Sequence, residues 1–157
     1  MPFAYEHRRR LPHYQPDDRA LLVNFRRLSA VTLSPPARTL VLQHCLHEHL
    51  SRIRLYAAVV MPDHVHLLLT PLRDELTQSF HLACIMQAIK GSSAHSVNKL
   101  LGRQGPVWQE EYFDHAIRNY ESLREKIEYI RQNPVRRGLV RVAEDYPWLW
   151  AEYETIE

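Results

Sequence analysis

The sequence predicts an α+β domain of ferredoxin-like plan, with a central antiparallel sheet and helices packed mainly on one face. Three observations predict it. Apolar residues cluster in short β-rich runs near 20–28, 54–61, 65–70 and 112–117. Near 36–49, 75–97 and 120–133 they recur instead at three- and four-residue intervals. The order is therefore strand, helix, strand, strand, helix, strand, helix, in a chain of 157 residues, enough for one domain with a full hydrophobic core.

Ala20 to Leu28 mixes aliphatic residues with Phe25 and Arg26 and reads as the first strand. Pro35 and Pro36 precede a segment in which Val41, Cys45 and Glu48 fall at helical separations. Proline is tolerated in a first helical turn, where its missing N–H has no intrahelical partner, so a helix is expected over 36–49. Arg54 to Met61 is β-rich, Pro62-Asp63 is a turn signal, and Val65 to Thr70 resumes strand character, which makes a hairpin. Asp74 is expected to cap a helix of about 75–97, in which Leu76, Phe80, Ala83 and Ala88 are approximately helix-spaced. GRQGPVW is a loop, and Tyr112 to Ile117 is expected as the last strand. Asn119 can cap the final helix, which Asn133-Pro134 is expected to end, with Gly138 a little beyond. The expected organisation is a basic arm over 1–19, one domain over 20–150 with its last helix at about 120–133, and a tail over 151–157.

The formal net charge is only +2, so gross charge does not announce a nucleic-acid binder. Arginine is nonetheless clustered, at Arg8, Arg9 and Arg10, at Arg26 and Arg27, and at Arg136, Arg137 and Arg141. Such clusters either meet phosphates or form a solvated surface. Cys45 and Cys84 have no finger or redox spacing and are expected as reduced thiols. MPFAYEHRRR has no apolar stretch behind it resembling a signal peptide, and no run approaches about 18 apolar residues. No membrane partner and a cytoplasmic location are therefore expected.

Ten histidines are the compositional oddity, and two of them stand in the most apolar run, VVMPDHVHLLLT. Side chains at i and i+2 of a strand share a face, so His64 and His66 point one way while Val65 and Leu67 point the other. Two neutral imidazoles so placed can bind one divalent cation such as zinc, manganese, nickel or cobalt. They can equally be two hydrogen-bonded histidines near a strand end. A histidine-triad hydrolase would need a third alternating histidine where Leu68 stands, a two-histidine phosphoesterase would need two H-x-T/S units, and HEH at 47–49 lacks zincin spacing.

The helix NYESLREKIEYIRQNP supplies further polar groups. Leu123, Ile127, Ile130 and Pro134 form its apolar stripe, Tyr129 lies off the centre of that stripe, and Asn133 shares the face of Tyr129 one turn later. A phenol and an amide oxygen there can approach the same metal site, or Tyr129 can be one packing tyrosine among eight. A phenol is a poor nucleophile at its free pKa of about 10 and needs a nearby positive charge or a base.

MPDHVHLLLTP, GPVWQEEYFDHAIRN, YIRQNPVRRGLV and DYPW, in this order, closely resemble the REP-associated tyrosine transposases of the IS200-like single-strand DNA transposase family. The similarity runs from about Arg9 to Trp148. It implies an HUH fold, with His64 and His66 as metal ligands, Tyr129 as catalytic tyrosine and Asn133 as third ligand. The implied cofactor is a divalent metal, Mg²⁺ or Mn²⁺. Family members often carry Asn before the first histidine; here it is Asp63, which changes local charge and leaves the pair intact. Tyr112 and Tyr120 compete as nucleophiles, but neither matches the family position.

The resemblance implies a metal-dependent single-stranded DNA endonuclease and strand transferase. It would act at hairpin-forming palindromic elements through a 5′-phosphotyrosine intermediate. Arg8, Arg9, Arg10, Lys90, Ser92, Arg136, Arg137 and Arg141 are the candidate DNA contacts. No protein partner is implied, and a monomer is favoured over a dimer that shares the tyrosine helix. The alternatives are a domesticated, non-catalytic DNA-hairpin binder and a metal-dependent nucleic-acid hydrolase that forms no covalent adduct. Trp108 reads as a core or loop anchor, Trp148 and Trp150 as cover for the core, and alternation places Asp114 and His115 on opposite strand faces.

Overall fold

The computed structural model describes residues 19–152, apart from the side chains of Tyr120 and Glu121. Arg8, Arg9 and Arg10 of the expected arm and residues 153–157 of the expected tail lie outside the described residues. The chain runs β1 (Leu21–Arg27), α1 (Pro35–His47), β2 (Ile53–Val60), β3 (His64–Pro71), α2 (Leu82–Leu101), β4 (Trp108–Ala116) and α3 (Tyr120–Arg136). A 3₁₀ turn over Ala143–Asp145 and β5 (Leu149–Ala151) follow. The five strands form one sheet in the order β4-β1-β3-β2-β5, and every neighbouring pair is antiparallel. Because β1 and β2 flank β3, the β1-α1-β2 connection crosses over it, the split crossover of a ferredoxin-like domain.

Pleat alternation sorts the side chains. Val23 and Phe25 of β1 and Val65, Leu67 and Leu69 of β3 face α1 and α2 in the larger core. Val59 and Leu68 face the other way and meet Leu123, Ile127 and Ile130 of α3, with Tyr146 beside them. Two of the three helices therefore share one face, and α3 covers the other. A bulge between Leu55 and Ala57 shifts the register of β2 against β3. Before it, Ile53 and Leu55 face α1 and α2; after it, Ala58 and Val60 do, and Val59 turns to α3. One extra residue in a strand reverses the facing of all that follow.

The helix ends follow local chemistry. Ser34 caps α1 by accepting from the Ala37 N–H, and Pro35 and Pro36 occupy its first positions, as their missing donors permit. Asn119 caps α3 by accepting from the Ser122 N–H. The expectation that Asn133-Pro134 ends α3 is corrected: the helix runs to Arg136. Pro134 lies in its last turn, and the stop comes at Gly138, at φ 75°. Gly138 N–H donates to Val135 O and Leu139 N–H to Pro134 O, closing the terminal carbonyls.

The second helix is also corrected, from 75–97 to Leu82–Leu101. Asp74 does not cap it. Its carboxylate accepts from the N–H groups of Leu76 and Gln78 and so closes a loop, which leaves Leu76 exposed. β4 starts at Trp108, earlier than Tyr112, because an irregular pairing brings Trp108 opposite Arg27. On this sheet edge Gln109, Glu110 and Glu111 remain exposed and conceal the strand in the sequence.

The two thiols are inequivalent. Cys45 is buried among aliphatic neighbours, and burial, seconded by Glu48, pushes its pKa up to about 12; Cys84 is exposed. Titration of the native protein with a thiol-specific disulfide reagent is expected to modify Cys84 promptly and Cys45 only after denaturant is added. Equal rates for the two would contradict this packing.

Candidate functional site

β3 is the middle strand and is buried along its whole length, so the two histidines are held out of water by the sheet itself. Met61 N–H donates to His64 O across the Pro62-Asp63 turn, which starts β3 at His64. The pleat sets His64 and His66 on the α3 face, with their rings edge to face and their Nε2 atoms 3.1 Å apart. Two nitrogens at about 2.1 Å from one ion stand roughly 3.0–3.4 Å apart, depending on geometry. The pair fits a shared cation.

Its electrostatics fit as well. Burial lowers the pKa of His64 against the opposing hydrogen bond and charge of Asp63. Burial, then His64, Arg136 and Arg26, lower that of His66 to about 3. Both rings are neutral near pH 7, the form that ligates metals. Burial opposes ionisation of Asp63, but the hydrogen bond from His64 and the nearby Arg137 and Arg26 outweigh it and hold its carboxyl below the usual range. A carboxylate only accepts, so His64 Nδ1–H donates to Asp63 Oδ1, at 2.6 Å, and the Nε2 lone pair faces the site. Asp63 also pairs with Arg26 of β1 at 3.0 Å and with Arg137, just past α3, at 3.7 Å.

α3 brings the facing groups. Leu123, Ile127 and Ile130 bury its apolar stripe against the sheet, which leaves Tyr129 at the margin, 42% exposed. Its ring lies 5.9 Å from that of His66, nearly perpendicular to it. The Arg136 guanidinium sits 4.3 Å over the Tyr129 ring and donates to the Tyr129 carbonyl, and the Lys126 ammonium is 5.6 Å from the same ring. Asn133, one turn on, is buried. Arg131 pairs with Glu144, and the buried Tyr146 hydroxyl donates to Val60 O, so the segment after α3 is tied back to both helix and sheet. Among the described residues no group of three or more His, Cys, Asp and Glu is gathered for an ion. A site on the two histidines draws its other donors elsewhere, and the Asn133 amide oxygen is the buried candidate.

Other expected residues fall differently. Lys90 and Ser92 lie on α2, across the sheet from the histidines. The Lys90 ammonium donates to the Gln109 and Glu110 carbonyls beside a groove of about 490 Å³ between α2 and β4. Tyr112 lines that groove and is thus remote from the pair; the Tyr120 side chain lies outside the described residues. Arg141 is exposed beyond α3. Trp108 is a core anchor, edge-on to Phe25 and donating to Ser93 Oγ. Trp148 donates to Thr39 and Trp150 packs on His49, so both cover the sheet. Asp114 pairs opposite Val23 and His115 opposite Leu22, on opposite faces. Sequence reasoning missed the orienting role of Asp63, although it directly precedes the pair, and it grouped Arg26 with Arg27 without its place opposite His64, which only strand pairing reveals.

A family profile described as "Transposase IS200 like" matches residues 38–133, more than half of the chain. A REP-associated tyrosine transposase of Escherichia coli is 32% identical over 93 residues, 59% of this chain and 50% of that protein. A Haemophilus influenzae protein assigned by name to the same transposases is 29% identical over 97 residues, 59% of this chain and 55% of that protein. The chain therefore spans about half the length of these curated relatives. The solved structure of a REP-associated tyrosine transposase bound to a REP hairpin matches with a TM-score of 0.71 at 22% identity. That match covers 90% of this chain and 82% of the other, and it supports the fold. Among the described residues no helix is long and apolar enough to cross a membrane.

The Asp63–His64 contact is directly measurable. In imidazole-detected NMR the His64 Nδ1 proton is expected far downfield and slow to exchange, and it should be lost in Asp63→Ala. A persistent, protected proton in that variant would refute Asp63 as its partner.

Proposed function

Because the chain belongs to the IS200-like transposase family, we propose that it cuts and rejoins single-stranded DNA at hairpin-forming palindromic elements, through a covalent bond to Tyr129. The observation that carries this reading is the placement of one exposed tyrosine against a buried, neutral histidine pair, with arginines at its rim. A hairpin binder needs no such constellation.

In this reading His64 and His66 hold a divalent ion, Mg²⁺ or Mn²⁺, through Nε2, with Asn133 as third donor. When bound, the ion supplies Lewis-acid stabilisation of the charge that builds on the scissile phosphate. The Tyr129 oxygen attacks phosphorus and loses its proton as the new P–O bond forms. The bond from phosphorus to the 3′ oxygen breaks, and that oxygen takes up a proton. The products are a 5′-phosphotyrosine and a free 3′-OH. A second 3′-OH reverses the step, joins new ends and returns the phenol. Phosphodiester energy is kept in the tyrosine ester, so no nucleotide hydrolysis is required.

Arg136 and Arg137 flank the tyrosine and Asp63, and they serve as phosphate contacts at the cleavage centre. Arg141, exposed beyond the helix, is a further phosphate contact, and Arg8, Arg9 and Arg10 are proposed DNA contacts on their basic sequence alone. Lys90 and Ser92 are left to more distant contacts. Because Tyr129 meets His66 of the same chain, a self-contained, monomeric site is the reading favoured over a shared helix.

Incubation with end-labelled hairpin single strands and Mg²⁺ or Mn²⁺, followed by denaturing electrophoresis, is expected to give a protein–DNA adduct that maps to Tyr129. The adduct should vanish in Tyr129→Phe. Cleavage undiminished in that variant would overturn the nucleophile, and cleavage without any adduct in the parent would favour a hydrolase.

A further inference from the structure

Asn24 lies on β1 directly opposite His66, and cross-strand partners point to the same face with Cβ atoms about 4.5–5.5 Å apart. Two buried polar atoms on these neighbouring residues have no hydrogen-bond partner among the described residues: Asn24 Oδ1 and His66 Nδ1. Unpaired buried acceptors are rare, and two on facing residues call for one explanation.

Proton bookkeeping supplies it. A neutral imidazole carries one N–H and one lone pair. His64 Nδ1–H is committed to Asp63, so His64 Nε2 is a bare acceptor. The 3.1 Å contact between the two Nε2 atoms then requires His66 to donate from Nε2, which leaves His66 Nδ1 as a lone pair. On the facing residue the amide oxygen of Asn24 offers a second lone pair. Two acceptors cannot bond, and both atoms are accordingly orphaned. A cation shared by the histidines demands the other tautomer of His66, with Nε2 bare toward the ion and the proton on Nδ1.

We propose that Asn24 is the positioning residue for His66: its amide oxygen accepts the Nδ1 proton of the metal-ligating tautomer. The proton moves from Nε2 to Nδ1 through solvent exchange, the net charge of the ring is unchanged, and the Nε2 lone pair turns to the ion. Asp63 orients His64 and Asn24 orients His66, one partner from the turn and one from the adjacent strand. This inference rests on the ion-binding reading above.

The test uses the full chain in a Tyr129→Phe background, with Mn²⁺ titrated calorimetrically and Zn²⁺ as a diamagnetic probe for imidazole NMR. In the Zn²⁺-loaded parent, His66 is expected as the Nδ1–H tautomer with that proton protected from exchange. Asn24→Leu should lose the protection and weaken Mn²⁺ binding roughly 10- to 100-fold, the usual effect of removing an orienting partner. Asn24→Asp, which keeps an acceptor, should retain both. If Asn24→Leu does not fold, the parent spectrum and Asn24→Asp still decide. An unprotected His66 Nδ1–H in the loaded parent, or Mn²⁺ affinity within about twofold of the parent in folded Asn24→Leu, would overturn the role of Asn24 alone. No ion binding by the parent would overturn it together with the metal reading.

Discussion

The structure depends on a single strand that is buried on both faces. β3 has neighbours on either side in the sheet, α1 and α2 above it and α3 below it, and no residue from His64 to Pro71 is exposed. Val65, Leu67 and Leu69 are locked into the larger core, and a slip of one residue would drive the imidazoles into that core and these aliphatics out of it. Packing on one face thus determines the chemistry on the other. Desolvation keeps both rings neutral, and the pleat of the strand brings their Nε2 atoms to 3.1 Å.

Around this strand one carboxylate organises the rim. Asp63 receives the His64 Nδ1 proton and meets Arg26 from β1 and Arg137 from the end of α3, so the hairpin turn, an adjacent strand and the tyrosine helix converge on two oxygens. The charge of a partly buried carboxylate is costly without partners, and the three here offset that cost. The same convergence orients the end of α3 and leaves Arg136 stacked over Tyr129. Cations therefore gather around Tyr129 and the histidine pair, on a protein whose net charge is only +2.

α3 is built for this position. Its apolar stripe is narrow, so it seats on the sheet through Leu123, Ile127 and Ile130 and keeps Tyr129 at the margin. The continuation past Pro134 matters, because the extra turn carries Arg136 back over the ring of Tyr129. Gly138, in the left-handed region, then turns the chain toward the 3₁₀ segment and Tyr146, whose hydroxyl ties this segment to β2.

The order of elements, the hairpin, the cap at Asn119 and the shared face of His64 and His66 were legible in the residues, since each rests on a local period or a local hydrogen bond. So was the company of Tyr129 and Asn133, one helical turn apart. The late start of α2 was not, because the Asp74 carboxylate closes a loop as readily as it caps a helix, and only the fold chooses between them. The phase reversal in β2 and the three-residue β5 were hidden because a bulge breaks the period and a very short strand has none. Above all, the sequence alone determined that two imidazoles point the same way. Which face they point to, and that Asn24, Arg26 and Tyr129 stand there with them, was decided by strand pairing and helix docking, which join residues that no sequence interval relates.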